Sequence, residues 1–263
     1  MRYQTACLLA AASILTGCSQ PSAKAPVSER NFVACPIVQD TPTVPCYLAE
    51  HDGELYYLGI QTDISADFDP PFFRHKALIE GTVSNEPRIC GGIVLKPVMA
   101  SPLPELDESC HEFRPDDGKY TVPFAPRPPG PSGGRLAYQR PPSAPEELKP
   151  PYQPRDFELQ YDFDMPVMGR HTFVLNNIVG YAEQIHATRV KITGYRAQTL
   201  LSDGTVMIEK DGIDKTRAEE VADLLKRGGL DGLSFEMSYV DEPIKATGVG
   251  DWHNRKTVVR VEP

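Results

Sequence analysis

A proline-rich segment near the middle of the chain most constrains how this sequence can fold. Between Pro123 and Pro154 there are eleven prolines in 32 positions. Proline fixes φ and lacks a backbone N–H, so such a segment favours polyproline II and cannot bury a core. We therefore place a linker at residues 121–155, between a folded unit at 31–120 and another at 156–263. Fully extended at about 3.1 Å per residue, the linker could reach roughly 100 Å.

Charge and motif content exclude several classes of function. The 263 residues contain 27 Lys and Arg against 36 Asp and Glu, a net charge of −9. Because phosphate binding needs a surplus of basic residues, we expect no nucleic-acid partner. The six histidines are scattered, and no HExxH, GxSxG or P-loop spacing is present. We therefore expect no enzyme activity, no catalytic residues and no cofactor.

The amino terminus is typical of a secretion signal. It has one basic residue, Arg2, and an apolar stretch from Ala6 to Ile14 that is too short to span about 30 Å of hydrocarbon. The following Leu15-Thr16-Gly17-Cys18 resembles a bacterial lipobox. That resemblance implies a signal peptide at 1–17, acyl chains such as palmitate on Cys18, and a mature chain in the outer membrane that faces the periplasm. An ordinary signal with an incidental cysteine is the alternative. Residues 18–30 are predicted to be a flexible tether.

The first unit is predicted to be a small β-rich domain. Two aromatic or β-branched runs flank His51-Asp52-Gly53, which indicates a hairpin, and further strands are predicted at 75–84 and 89–98. Gly91-Gly92 inside the last strand indicates a bulge or a close backbone approach. From the number of strands we expect a small barrel of OB-like character that is cross-linked by disulfides.

Four cysteines of this unit remain for an oxidising compartment: Cys35, Cys46, Cys90 and Cys110. Four thiols allow three pairings, and the sequence does not choose among them. We favour the sequence-local pairs, Cys35 with Cys46 and Cys90 with Cys110, each contributing about 3 kcal/mol in the chain-entropy model. Without a CxxC spacing, a metal site is the weaker alternative, and we expect no metal.

The second unit shows the periodicities of an α+β fold. Strands are predicted at 157–163, 189–195, 233–239 and 257–261 from period-two alternation, and helices at 169–186 and 214–227 from the spacing of apolar residues. Asp214 is predicted to cap the second helix. The order strand, helix, strand, helix, strand, strand predicts a sandwich with both helices on one face of a mixed sheet.

Four segments in this order resemble the OmpA-like carboxyl-terminal domain that peptidoglycan-associated lipoproteins also carry. They are Tyr161-Asp162-Phe163-Asp164, Val190-Lys191-Ile192-Thr193-Gly194, Asp214 to Val221, and Asn254-Arg255-Lys256. The resemblance covers about 105 residues and implies noncovalent binding of the diaminopimelate residue of peptidoglycan. It implies that Arg217 holds a ligand carboxylate, with Thr193 and Gly194 in the neighbouring loop. A guanidinium suits this task because it matches a carboxylate with two parallel hydrogen bonds.

The loop after the second strand departs from the family pattern. Tyr195-Arg196-Ala197 stands where the family has His-x-Asp, so Ala197 replaces the acceptor of the ligand ammonium. The stretch from Ala197 to Arg217 is also about five residues longer than usual, and Thr199 to Glu209 reads as a hairpin. Asp203, Asp211 and Asp214 are candidate substitute carboxylates, and no spacing selects one. For Arg217, a surface ion pair with Asp214 or Glu220 is the alternative to a ligand role.

Two hypotheses of function follow. In the first, the chain is an outer-membrane lipoprotein of the cell envelope that docks on peptidoglycan through its second unit. In the second, the OmpA-like scaffold no longer binds peptidoglycan and recognises envelope proteins, with the hairpin at 199–209 as the remodelled contact surface.

Overall fold

The computed structural model describes residues 28–60, 73–122, 148–167 and 172–263. The predicted signal peptide, the lipobox and Cys18 lie outside these residues, as does most of the predicted linker. No helix among the described residues is both long and apolar enough to cross a membrane.

The first unit is a seven-stranded sheet. In chain order the strands are β1 (Glu29–Ala34), β2 (Pro36–Gln39), β3 (Cys46–His51), β4 (Glu54–Gly59), β5 (His75–Val83), β6 (Ile93–Leu106) and β7 (Glu112–Arg114). Their order in the sheet is β1-β5-β6-β4-β3-β2-β7. Strand β1 begins two residues before the predicted boundary of the unit. Val122, predicted to lie in the linker, is buried in a core of this unit.

The predicted hairpin is present, and its turn explains its sequence. Asp52 and Gly53 both have positive φ, 52° and 75°, between the paired strands β3 and β4. This is the pattern of a two-residue turn that matches strand twist, which Asp-Gly favours. Gly92 is the predicted close approach: a Cβ there would lie 2.6 Å from the amide nitrogen of Tyr57.

The expected OB-like barrel is not shown. Among the described residues the strand order runs from β1 at one end to β7 at the other, and no pairing between those two strands closes it. Strand count alone suggested closure, but closure depends on which distant strands pair. That information is not in local patterns.

The disulfides join different cysteines from those we favoured. Cys35 bonds to Cys110 and Cys46 bonds to Cys90, with sequence separations of 75 and 44 residues. The sequence-local pairing was therefore wrong. The favoured pairs were the ones nearest along the chain. In the sheet, however, β4 lies between β3 and β6 and β2 lies beside β7, so Cys46 at the start of β3 meets Cys90 before β6, and Cys35 before β2 meets Cys110 before β7. All four cysteines of the unit are oxidised, as predicted.

The second unit has the predicted order of elements with one added hairpin. Its elements are β8 (Arg155–Gln160), α1 (Thr172–Gln184), β9 (Arg189–Leu200), β10 (Val206–Ile208), α2 (Ile213–Leu225), β11 (Ser234–Ile244) and β12 (Lys256–Glu262). A π-helical turn at Lys226–Leu230 extends α2, and a 3-10 turn at Asp251–Asn254 precedes β12. Strand β9 pairs in parallel with β11 and antiparallel with β12, which also pairs with β8.

Both helices cover one face of this sheet. Apolar side chains from β8, β9 and β12 share a core with those of α1 and α2, including Ile178, Ile192, Val221 and Val259. These are the alternating strand positions and the i, i+3, i+4 helix positions that the sequence predicts. The α/β sandwich with helices on one face is thus the architecture of the second unit.

The two units contact each other directly. Glu80 of β5 and Arg255, just before β12, form a buried ion pair of 2.5 Å, and Thr199 of β9 hydrogen-bonds to both. The backbone N–H of Ser202 in the β9–β10 turn donates to the Asn31 carbonyl of β1, and the Asn31 N–H donates to the Ser202 hydroxyl. The predicted hairpin at 199–209 therefore contacts the chain's own first unit. The two units are therefore in contact, and not separated by the roughly 100 Å that a fully extended linker could reach.

Candidate functional site: a buried arginine and its internal carboxylate

Arg217 lies in the second turn of α2 and is completely buried. Its exposed fraction is 0%. A guanidinium has five N–H donors, and here five hydrogen bonds satisfy it. They run from Nε to the Met165 carbonyl, from Nη1 to the Tyr195 carbonyl and Glu209, and from Nη2 to the Asp162 carbonyl and Glu209.

Glu209 is the carboxylate that holds Arg217. It follows β10, at the end of the added hairpin, and is also buried, with an exposed fraction of 1%. Its two oxygens lie 3.0 and 2.5 Å from Nη1 and Nη2, so the contact is bidentate. The same oxygens accept the backbone N–H of Ala197 at 3.0 Å and of Asp164 at 3.1 Å. The pair is fully hydrogen-bonded, as a buried charged pair requires.

An aromatic ring and a second carboxyl group lie near the pair. The guanidinium carbon lies 4.5 Å from the ring centre of Tyr161, and burial raises the pKa of the Tyr161 hydroxyl to about 12. Asp164 accepts the backbone N–H of Lys210 at 2.7 Å. Burial raises the pKa of the Asp164 carboxyl, and nearby Glu209 adds to the rise.

Gly194 and Asp214 meet through the backbone. A Cβ at Gly194 would lie 2.0 Å from the Asp214 carbonyl oxygen, so only glycine allows α2 to pack this closely on β9. The predicted cap is wrong: Gly212 occupies the cap position, and Asp214 is the second residue of the helix. Asp214 is buried, and neither residue offers a ligand group to solvent.

Thr193 lies apart from the other predicted binding residues. Its hydroxyl hydrogen-bonds to Ser238 of β11 at 2.8 Å, and its alternation with the buried Ile192 and Gly194 puts it on the sheet face away from the helices. The structure therefore does not gather Thr193, Gly194, Asp214 and Arg217 around one cavity.

Tyr195, Arg196 and Ala197, which we predicted to form a loop after the second strand, lie within β9 instead. Ala197 is buried. Arg196 is also largely buried and pairs with the exposed Asp211, and with Asp241 at 3.6 Å. Asp211 thus partners a residue of its own chain, while Asp203 accepts the N–H of Thr205 in the hairpin turn. None of the three proposed substitute carboxylates contacts Arg217.

Chemically, this arrangement closes the predicted ligand site. An external carboxylate could reach Arg217 only if Glu209 left, and Glu209 would then lose four hydrogen bonds. The alternative of a surface ion pair within α2 is wrong, since Arg217 is buried and pairs with Glu209. The ligand role stays a prediction, and in this structure the donors of Arg217 are already used. The sequence analysis missed Glu209 as the partner. The signal was available: Glu209 is an acidic residue that ends the extra hairpin, eight residues before Arg217.

No family model matches the sequence, and no curated protein matches it. Several solved structures are similar to part of the chain, including the following two. The OmpA-like domain of FopA1 from Francisella tularensis subsp. tularensis SCHU S4 has 14% identity and a TM-score of 0.31, covering 42% of this chain and 73% of that one. The cell wall anchor of the T6SS from Pseudomonas aeruginosa has 20% identity and a TM-score of 0.31, covering 41% and 81%. These values are too low to assign a family or to transfer a function.

Proposed function

We propose that this chain is a lipid-anchored protein of the cell envelope whose second unit is a protein-binding module rather than a peptidoglycan-binding domain. The envelope location rests on the signal-like amino terminus with Cys18, on the lipobox resemblance and on the two disulfides, which form in oxidising compartments. The outer membrane remains the membrane we expect.

One observation carries the choice between the two hypotheses, the buried pair of Arg217 and Glu209. Binding of a ligand carboxylate by Arg217 would require breaking this pair inside the core. Removing one partner of a buried pair typically costs about 3–5 kcal/mol, which is more than one replacement charged hydrogen bond returns. The ligand ammonium would also lack its acceptor, because Ala197 stands there.

Exposed apolar side chains support a role in protein binding. Met237 and Tyr239 on β11 are 42% and 40% exposed, and Val206 and Ile208 on β10 are 44% and 50% exposed. Two short stretches of the second unit thus present large apolar groups to solvent. Aromatic residues and methionine are enriched at protein interfaces.

Sedimentation with purified sacculi tests the proposal. The full chain, solubilised in a mild nonionic detergent, is mixed with diaminopimelate-type sacculi and centrifuged, with a known peptidoglycan-binding domain as the positive control. We expect the chain to stay in the supernatant while the control sediments. Sedimentation that the variant Arg217→Met abolishes, with a folded variant by circular dichroism, would overturn the proposal and restore peptidoglycan docking.

A further inference from the structure

A cleft of about 330 Å³ lies at the junction of the two units. One wall is formed by β1 and β5, where Glu29 and Thr82 are directly paired across the strands. The other wall is formed by the loop around the 3-10 turn, with Trp252 and His253. Glu80 also lines the cleft.

The walls of this cleft are held in place by buried hydrogen bonds. Asp251 is 1% exposed, and its carboxylate accepts the N–H groups of Leu200, Thr247 and Gly248 at 2.8 to 3.0 Å. The amide nitrogen of the Asn31 side chain donates to the Gly248 carbonyl at 3.0 Å, which ties the loop to β1. The cleft is therefore preformed, and a ligand need not order it on binding.

The charge of the cleft is negative and not balanced from within. Glu80 is neutralised by Arg255, but Glu29 has a different environment. Its carboxylate accepts a hydrogen bond from the Thr82 hydroxyl at 2.9 Å, and none of the ion pairs between described residues includes it. The guanidinium of the neighbouring Arg30 donates instead to the Glu29 backbone carbonyl and to the Tyr56 hydroxyl. A half-buried carboxylate without a cation is an attractive site for one.

The opposite wall adds an aromatic surface and no positive charge. The Trp252 ring stacks on His253 with 3.5 Å between ring centres. Nδ1 of His253 accepts a hydrogen bond from the Gln160 side chain at 3.1 Å, and burial lowers the pKa of His253, so the imidazole is neutral at neutral pH. An indole face attracts cations within about 6 Å of its centre.

We propose that this cleft binds an alkylammonium or guanidinium group, supplied by a lysine or arginine side chain of a partner protein. Glu29 provides the countercharge, the Thr82 hydroxyl provides a polar contact, and Trp252 provides the aromatic face. The net charge of −9 favours encounter with a basic partner. The assignment of the cation to a partner protein rests on the proposed function. The binding of a cation in the cleft does not.

The chain itself carries a reporter for this cleft, because Trp252 is its single tryptophan. The full chain in a sugar-free nonionic detergent is titrated with N-acetyl-lysine methylamide while tryptophan fluorescence is recorded. We expect a saturable change with a dissociation constant in the millimolar range, about what one charged contact with an aromatic neighbour provides. The matched probe, N-acetyl-norleucine methylamide, has a similar stem without the ammonium and should give no saturable change.

Two variants distinguish binding in the cleft from nonspecific attraction to the negative charge of the protein. Glu29→Gln keeps an acceptor for Thr82 and removes the charge, and it should raise the dissociation constant about tenfold. Glu54→Gln removes a carboxylate that pairs with Arg88 on the exposed hairpin, and it should leave the constant unchanged. Three results would each overturn the proposal. The first is an equal response to both probes, and the second is no response to either probe at 100 millimolar, about a hundredfold above the expected dissociation constant. The third is an unchanged dissociation constant in Glu29→Gln.

Two further probes test the source and class of the ligand. Putrescine stands for free amines, and tighter binding of putrescine than of the lysine probe would overturn the assignment to a protein side chain. N-acetylglucosamine stands for neutral saccharides, and a saturable response to it in place of the lysine probe would overturn the cation assignment. Sedimentation with sacculi, by contrast, would overturn the proposed function and leave the lysine-probe result unaffected, so the two failures can be told apart.

Discussion

At the scale of single residues, burial decides what the charged and polar groups of the second unit do. The sequence resemblance implies a ligand-binding role for Arg217, but its five donors are used inside the fold. The sequence predicts that an arginine stands on α2 and which strand it approaches. It does not reveal burial, because a charged residue is rarely buried unless a partner from elsewhere in the chain meets it.

The buried hydroxyl of Tyr161 predicts how the stability of the fold changes at alkaline pH. Burial raises the pKa of its hydroxyl to about 12, against about 10 in an unfolded chain. The folded state therefore keeps a proton that the unfolded state loses, so the free energy of unfolding should fall as pH rises from about 10 to about 12, by about 1.4 kcal/mol per pH unit.

Urea unfolding of the wild type and of Tyr161→Phe at several pH values measures this effect. The difference in slope between the two proteins isolates Tyr161 from other groups that titrate in the same range. Parallel slopes for the two proteins would show that Tyr161 is accessible to water.

At the scale of elements, close packing of α2 on β9 depends on Gly194. Replacing it with alanine would put a Cβ 2.0 Å from the Asp214 carbonyl oxygen, so the helix must shift. We expect Gly194→Ala to lower the free energy of unfolding by about 3 kcal/mol, at the upper end of the usual cost of overpacking. Denaturant unfolding followed by circular dichroism measures it.

Gly180 provides the matched control. It lies in α1, and a Cβ there would have no atom within 4 Å. Because alanine is the better helix former, Gly180→Ala should raise the free energy of unfolding by up to about 1 kcal/mol. A Gly194→Ala variant as stable as the wild type would contradict the packing described for this helix.

Most elements of the second unit follow from local patterns, which is why they were predictable. The alternation in β9 and β12 and the helical spacing in α1 each reflect one buried face, and the His51-Asp52-Gly53 turn follows from backbone preference. The disulfide pairing and the ends of the first sheet were not predictable in this way. They depend on contacts between residues up to 75 positions apart, which no local pattern encodes.

At the scale of the whole molecule, the buried pair of Glu80 and Arg255 joins the two units. We therefore expect the units to stay together after the chain between them is cut. A protease site placed between residues 130 and 140 allows the cut, and size-exclusion chromatography without denaturant measures association. Cut wild type should elute as one species. Cut Arg255→Met should separate, because Glu80 is then a buried charge without a partner.

The control for this experiment is Arg260→Met, which removes an exposed arginine from β12, the strand that follows Arg255. It should remain associated after cutting. Separation of the cut wild type would show that the linker alone joins the units. The sequence could not predict this contact, since a proline-rich linker is compatible with both separated and docked units.

The central claim is that Glu209, and not an external ligand, holds Arg217, and a double-mutant cycle tests it most directly. Urea unfolding is measured for the wild type, Arg217→Met, Glu209→Leu and the double variant, beside the same cycle on the exposed pair Arg260 and Asp156. The account predicts a loss of about 3–5 kcal/mol for each single variant and a loss for the double that falls about 3 kcal/mol short of their sum, which is the coupling energy. The exposed pair should show less than about 1 kcal/mol. Additive losses for Arg217 and Glu209 would contradict the claim and return Arg217 to the role of a ligand-binding residue.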